Sequence, residues 1–277
     1  MILVDNYILA ILCCVYCCLC WGSWANTQKM VTSKSWSFEL FYWDLAFGLF
    51  FTALLGALTL GSLGSEGRTF FEDLAAMDWN SMKYALLGGI VWNFGNIFLT
   101  AAIAVAGMSI GFPIGGGLAW IGGIIFNYLL ITLAGEVYPG NQALLWIGVV
   151  VIIVAICICG KAYGKMSASQ ASTPKKGILL AIVAGLAIMF FYGLVVKSLD
   201  PQYVAGGTGT LTPYTGVFCF AAGVSPVCCG WYGNTDSLYR RILLCRRCPY
   251  HYSHFQYVCH ESSGSRKQGH NEGLSER

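Results

Sequence analysis

Six long apolar stretches alternate with short polar ones along this chain: residues 7–25, 38–61, 82–106, 109–134, 142–160 and 177–197. About 20 mostly apolar residues suffice to cross a bilayer as an α-helix, so each stretch predicts a membrane span. A seventh run opens near Pro213 and gives out after about 17 residues, short of a full span. The first run has no positively charged lead-in, with Asp5 as its only early charge, and no clear cleavage site. It therefore reads as a retained helix and not a signal peptide. The fold class expected is an all-α polytopic membrane protein.

Composition agrees. Of 277 residues, 56% are hydrophobic and 10% charged, and the mean hydropathy is +0.63. A soluble domain carries roughly 25% charged residues. The net charge of +3 is small, and no basic stripe with interleaved aromatics is present, so no nucleic-acid partner is expected. Lys29 and Lys34 lie in the first loop, and Lys161, Lys165, Lys175 and Lys176 in the fifth. Only Arg68 and Lys83 fall in the even-numbered loops. The positive-inside rule then places the N-terminus outside and the first and fifth loops in the cytoplasm.

The composition changes abruptly near Val224. All four His (His251, His254, His260, His270) follow it, with Arg240, Arg241, Arg246 and Arg247, and no Met follows Met189. Cys245, Cys248, His251 and His254 form C-x2-C-x2-H-x2-H, but only Pro249 and Tyr250 separate the ligand pairs. A zinc finger normally puts about a dozen residues there, so a zinc module is disfavoured. A frameshift near Val224 explains the tail better. Residues 250–255, YHYSHF, have codons that one base along read Ile-Thr-Ile-Ala-Thr-Phe, an apolar helix segment. Residues 225–277 are accordingly expected to be an aberrant, disordered tail.

Polar side chains within the spans are the candidates for function, because facing lipid is expensive for them. In GGIVWNFGNIFLTAAIA, Asn93, Asn96 and Thr100 share one helix face and Trp92 flanks it. Two readings stand: a solute-lining face, or helix–helix hydrogen bonding. Pro113 and Gly115–Gly117 predict a weakened helix in the fourth run. The alternative for these glycines is close packing, since Gly111 and Gly115 have G-x-x-x-G spacing. Asn127, deeper in that run, is a further cavity candidate. In the second run Glu39 sits near the interface. Asp44 lies further in, where burial would raise its pKa and suit it to couple a proton or sodium. The competing reading pairs Asp44 with Lys29 or Lys34 at the interface. Cys13, Cys14, Cys17, Cys18 and Cys20 crowd the first run without His or carboxylate companions and read as packing.

The first run ends in WGSWANTQKM, residues 21–30. One reading is an interfacial aromatic belt with a cytoplasmic cap. The other makes Trp24, Asn26 and Gln28 the border of an inner gate, holding a planar polar solute by stacking and amide hydrogen bonds. GGTGTLTP, residues 206–213, lacks the Lys of a phosphate loop. No nucleotide motif and no nucleophile–base arrangement is found, so neither a cofactor nor an enzyme activity is expected.

These segments resemble, in order, a known family. WGSWANTQKM, FELFYWDLAFGLFFTALLGALTLGSLG, DWNSMKYALLGGIVWNFGNIFLTAAIAVAGMSIGFPI and FNYLL, then LLWIGVVVIIVAICICGKAY, are similar to the ureide permease and glucose/ribose porter branch of the drug/metabolite transporter superfamily. The likeness covers about residues 5–224 and extends more loosely to KKGILLAIVAGLAIMFFYGLVVKS and LTPYTGVFCFAAG. It implies ten helices as two inverted five-helix repeats working by alternating access. Residues 1–161 would be the first repeat, 162–176 a cytoplasmic loop and 177–224 the start of the second. It implies a secondary-active permease for a small polar solute (a sugar, ureide or nucleobase), proton-linked or facilitated. By position Asp44 matches an Asp early in the family's second helix. Gly88, Gly89, Gly95 and Asn96 match its GG and GN pairs, and Asn127 and Tyr128 its NY. The short central loop looks bacterial, implying an inner membrane. A chain lacking most of one repeat is expected to be incomplete as a transporter. The alternatives are a multidrug exporter of the same superfamily, which lipophilic cations would inhibit, and a membrane fragment that transports nothing.

Resequencing DNA and transcript across codon 224 is expected to show a missing or extra base. An intact frame, with tail peptides detected in cells, would refute the frameshift.

Overall fold

The computed structural model describes residues 1–4, 6–31, 38–135, 137, 140–166, 175–200 and 209–225. The tail beyond Ser225, with its Cys/His motif, lies outside the described residues. Eight α-helices are described: α1 (Tyr7–Val31), α2 (Phe38–Leu58), α3 (Phe70–Ala76), α4 (Trp79–Ala106), α5 (Met108–Leu133), α6 (Gln142–Met166), α7 (Lys175–Ser198) and α8 (Pro213–Val224). Six of them, α1, α2, α4, α5, α6 and α7, are long and apolar enough to cross a membrane. They coincide with the six apolar runs. Each element named among the described residues is an α-helix, and the chain is an integral membrane protein.

The seventh run folds as the 12-residue α8, with Thr212 as N-cap and Pro213 in its first turn. Pro suits that place because its missing N–H would be unpaired there anyway. The hydropathy pattern does not predict α3. Its signature is Thr69-Phe-Phe-Glu72, a capping box: the Thr69 hydroxyl accepts from the Glu72 N–H, and Glu72 accepts from the Thr69 N–H. Those bonds hold the Glu72 carboxyl below its usual pKa, first through the Thr69 N–H. Asp78 caps α4, and its bonds to Ser81 depress its carboxyl likewise, the side-chain bond most.

Helix α4 is the hub. It packs most extensively on α7, then on α8 and α5, while α6 packs on α5 and α2 on α8. Close approaches set the directions. Gly88 meets Phe191 and Val195, Gly95 meets Ala184 and Ile188, and Gly177 meets Ala106, so α4 and α7 are antiparallel. Gly115 faces Ala181 and Gly122 faces Met189, so α5 and α7 are parallel. A β-carbon on Gly89 would run into the Phe220 carbonyl, and one on Gly223 into the Leu86 carbonyl. Here α4 and α8 touch backbone to backbone, as small residues permit in membranes.

Helix α5 passes through Pro113 without interruption. Pro113 stands only five residues after Met108, so few intrahelical bonds precede it. The glycines after it serve packing: Gly115 lies on α7 and Gly117 against Ile156 of α6. Of the two readings of this run, close packing of the glycines is the one the contacts favour.

Gly89→Leu is expected to destabilise the protein by about 1–3 kcal/mol or more through overpacking. Gly48→Ala, with nothing within 4 Å of its new β-carbon, is expected to be neutral or up to about 1 kcal/mol stabilising. Thermal unfolding in detergent micelles compares the two.

Candidate functional site

Near the middle of α4, a small polar cluster is buried among apolar side chains. Asn93 and Asn96 are 2% and 3% exposed, and Thr100 is fully buried. The Tyr42 hydroxyl, carried on α2 and also buried, donates to Asn93 Oδ1. Tyr42 accepts in turn from Asn96 Nδ2 at 3.4 Å. Thr100 returns its hydroxyl to the Ile97 carbonyl at 2.7 Å. One phenol thus bridges two carboxamides a turn apart. A buried Tyr must place its O–H, and in an apolar bundle the amides are the available polar groups.

Aromatic rings border this cluster. Trp92 meets Trp21 edge-on at 6.3 Å and Phe220 at 5.9 Å, and Phe220 lies 5.7 Å from Phe191. Trp92 shares its apolar core with Ala46, Leu99, Ala184, Ile188 and Val224. The cluster therefore stands where α2, α4, α7 and α8 meet.

The sequence-predicted residues divide. Trp92, Asn93, Asn96 and Thr100 are brought together. Asn127 is separate: it donates to Gly123 O at 2.7 Å and stands beside Gly193 of α7, toward the far end of α5. Trp24 is half-buried, and its indole N–H is buried with no acceptor among the described residues. Asn26 is exposed. The side chains of Gln28 and Glu39 lie outside the described residues. Asp44 is exposed on α2, so the burial assumed for it is corrected. It follows Tyr42 by two positions, about 200° around the helix, which turns it away from the amide pair. Trp21, read from sequence as belt, stays exposed but meets the buried Trp92 edge-on.

A second polar cluster closes one end of the bundle. Arg68 donates from Nε and Nη2 to Asp73 Oδ1 at 3.1 and 2.6 Å, and from Nη2 to Thr210 O at 2.9 Å. Asp73 is fully buried, and its Oδ2 accepts from the Thr212 N–H and hydroxyl at 2.8 and 2.9 Å. Sequence reasoning missed Tyr42, Arg68 and Asp73. The capping box at Thr69 is the one sequence signal that marked the last two.

These features define a polytopic membrane protein with a buried amide pair in its helical core. A family profile described as Ureide permease matches residues 41–179, half of the chain, and the chain belongs to that family. Among known relatives, Ureide permease 1 of Arabidopsis thaliana is 28% identical over 167 residues, which is 59% of this chain and 40% of that protein. Ureide permease 2 of the same plant is 29% identical over 110 residues, 39% of this chain and 28% of its own length. Probable ureide permease A3 of Vigna unguiculata is 32% identical over 89 residues, 31% of this chain and 24% of its own. The matched regions thus span at most 40% of these relatives. No solved structure matches the chain.

A double-mutant cycle with Tyr42→Phe and Asn93→Ala is expected to give a coupling of about 0.6 kcal/mol, and no more than about 1.7 kcal/mol. Thermal unfolding of the four proteins in micelles measures it.

Proposed function

We propose that the chain carries the solute-holding part of a secondary transporter for a small, planar, polar solute, with Tyr42, Trp92, Asn93 and Asn96 as its contacts. The observation behind this reading is the amide pair itself, two buried carboxamides with an indole beside them, at the junction of four helices. A carboxamide offers a donor and an acceptor side by side, which complements the N–H and C=O of a urea or lactam edge. Trp92 supplies a ring face for stacking. The names of the relatives point the same way, toward ureides. Alternating access between two inverted repeats brings such a site to each membrane face in turn.

In this reading residues 1–161 are the first repeat and residues 177–224 belong to the second. The lysine-rich first and fifth loops face the cytoplasm and the N-terminus lies outside. Asp44 and Glu39 are the carboxylates that couple a proton or sodium ion. Trp24, Asn26 and Gln28 border the inner gate, Thr100 and Asn127 are further solute-lining residues, and a bacterial inner membrane is the location.

Allantoin, uracil and glucose are to be tested for binding by solute-dependent thermal shift of the purified chain. Labelled uptake into cells follows. Binding of allantoin or uracil with saturable uptake is expected, and Asn96→Ala should weaken it by about 1–3 kcal/mol, roughly 5- to 150-fold. Asp44→Asn should abolish any dependence of uptake on pH or sodium. Stabilisation by lipophilic cations alone would instead favour an exporter. No stabilisation by any solute would remove the site assignment.

A further inference from the structure

We propose that Arg68, Asp73 and Thr212 form a gate, distinct from the amide site, at the end of the bundle where the α2–α4 connection meets the α7–α8 connection. The inference rests on the transporter reading above. Three observations carry it.

The contact joins the two parts of the chain that must move relative to each other. Arg68 and Asp73 precede α4. Thr210 and Thr212 precede α8 and lie 139 or more residues away in sequence. In an inverted-repeat transporter one part rocks against the other, and gates form where the parts meet.

The contact is of a kind that opens. Asp73 is fully buried, yet donors satisfy both its oxygens: Arg68 on Oδ1 and Thr212 on Oδ2. The ion pair itself lies within the α2–α4 connection, and only three hydrogen bonds cross to the other side: Arg68 to Thr210 O, and the Thr212 N–H and hydroxyl to Asp73, each worth little net once water can take its place. Water can replace all three once the end opens. An apolar plug has no such replacement. Asp73 also places negative charge at the N-terminus of α8, where the helix dipole favours it, so the start of α8 loses this partner when the gate opens.

Both sides hang on glycines in the left-handed region. Gly67, at φ +57°, immediately precedes Arg68, and Gly209, at φ +82°, immediately precedes Thr210. Such residues absorb backbone rotation without a side-chain penalty.

The gate is remote from the amide pair. Asn93 lies 14 residues into α4, so it stands about 20 Å along the axis from α4's capped end. Between them on α8 is Cys219, 4% exposed and packed with Ala85 and Leu211. Its thiol is a native reporter for opening.

The test uses the full chain in lipid nanodiscs, with all cysteines except Cys219 replaced by Ser or Ala. A small charged methanethiosulfonate is expected to label the buried Cys219 slowly in the unaltered protein. Asp73→Asn and Arg68→Gln should each label faster by about tenfold or more, as opening becomes easier. Thr212→Val, which removes one hydroxyl and keeps the ion pair, should give about threefold. Circular dichroism confirms that each variant is folded. Should Asp73→Asn fail to fold, Arg68→Gln and Thr212→Val decide. Equal labelling rates in all folded variants would make the contact a static tie and overturn the gate. Solute binding to the unaltered chain is measured separately. Binding with unmoved labelling removes the gate alone. Faster labelling in the variants without any solute binding removes the solute reading and leaves the hinged closure.

Discussion

Helices in a bilayer gain nothing by hiding apolar surface from one another, since lipid is as apolar as their neighbours. Association rests on how closely backbones approach, and here that approach is concentrated on α4. Gly88 and Gly95 admit α7, Gly89 admits α8 together with Gly223, and Gly111 of α5 lies on Ala102 and Ile103. The rest of the arrangement follows from that seam. Trp92, Asn93, Asn96 and Leu99 are buried because three helices lie against their side of α4, while Ile90 and Phe94 hold the face that stays exposed.

The seam also explains which parts were legible in the sequence. A span is written as about 20 consecutive apolar residues, so six helices could be read from hydropathy alone. Their faces were partly legible too: Asn93, Asn96 and Thr100 announce a common face by spacing. Hydropathy reports depth, however, and not direction. Asp44 reads as deep, yet it turns outward on α2. Tyr42 belongs to another helix, and nothing in the periodicity of α4 names its partner. The run at Trp21 looked like a helix exit, but α1 continues helical to Val31, which carries Trp21 to the edge of Trp92. The short α3 was hidden because its signal is a capping pattern.

The two polar clusters solve the same problem with different chemistry. At the centre, neutral amides and a phenol satisfy one another without any ionised group, as suits the driest part of the bundle. At the end, where α2 stops and α4 begins, an arginine and an aspartate are tolerated because Arg68 keeps 18% of its side chain exposed. Ionised groups serve better near water, which can take either one over.

The Tyr42 bridge has a bearing on how the protein is made. Helix α4 emerges from the ribosome well before α7, which ends roughly ninety residues later. At about 5–20 residues per second that gap lasts on the order of 5–20 seconds. During it Asn93 and Asn96 would face lipid or the insertion machinery without the helix that later encloses them. Tyr42 has already been synthesised. Its hydroxyl can satisfy both carboxamides as soon as α2 and α4 pair, before α7 exists to enclose them.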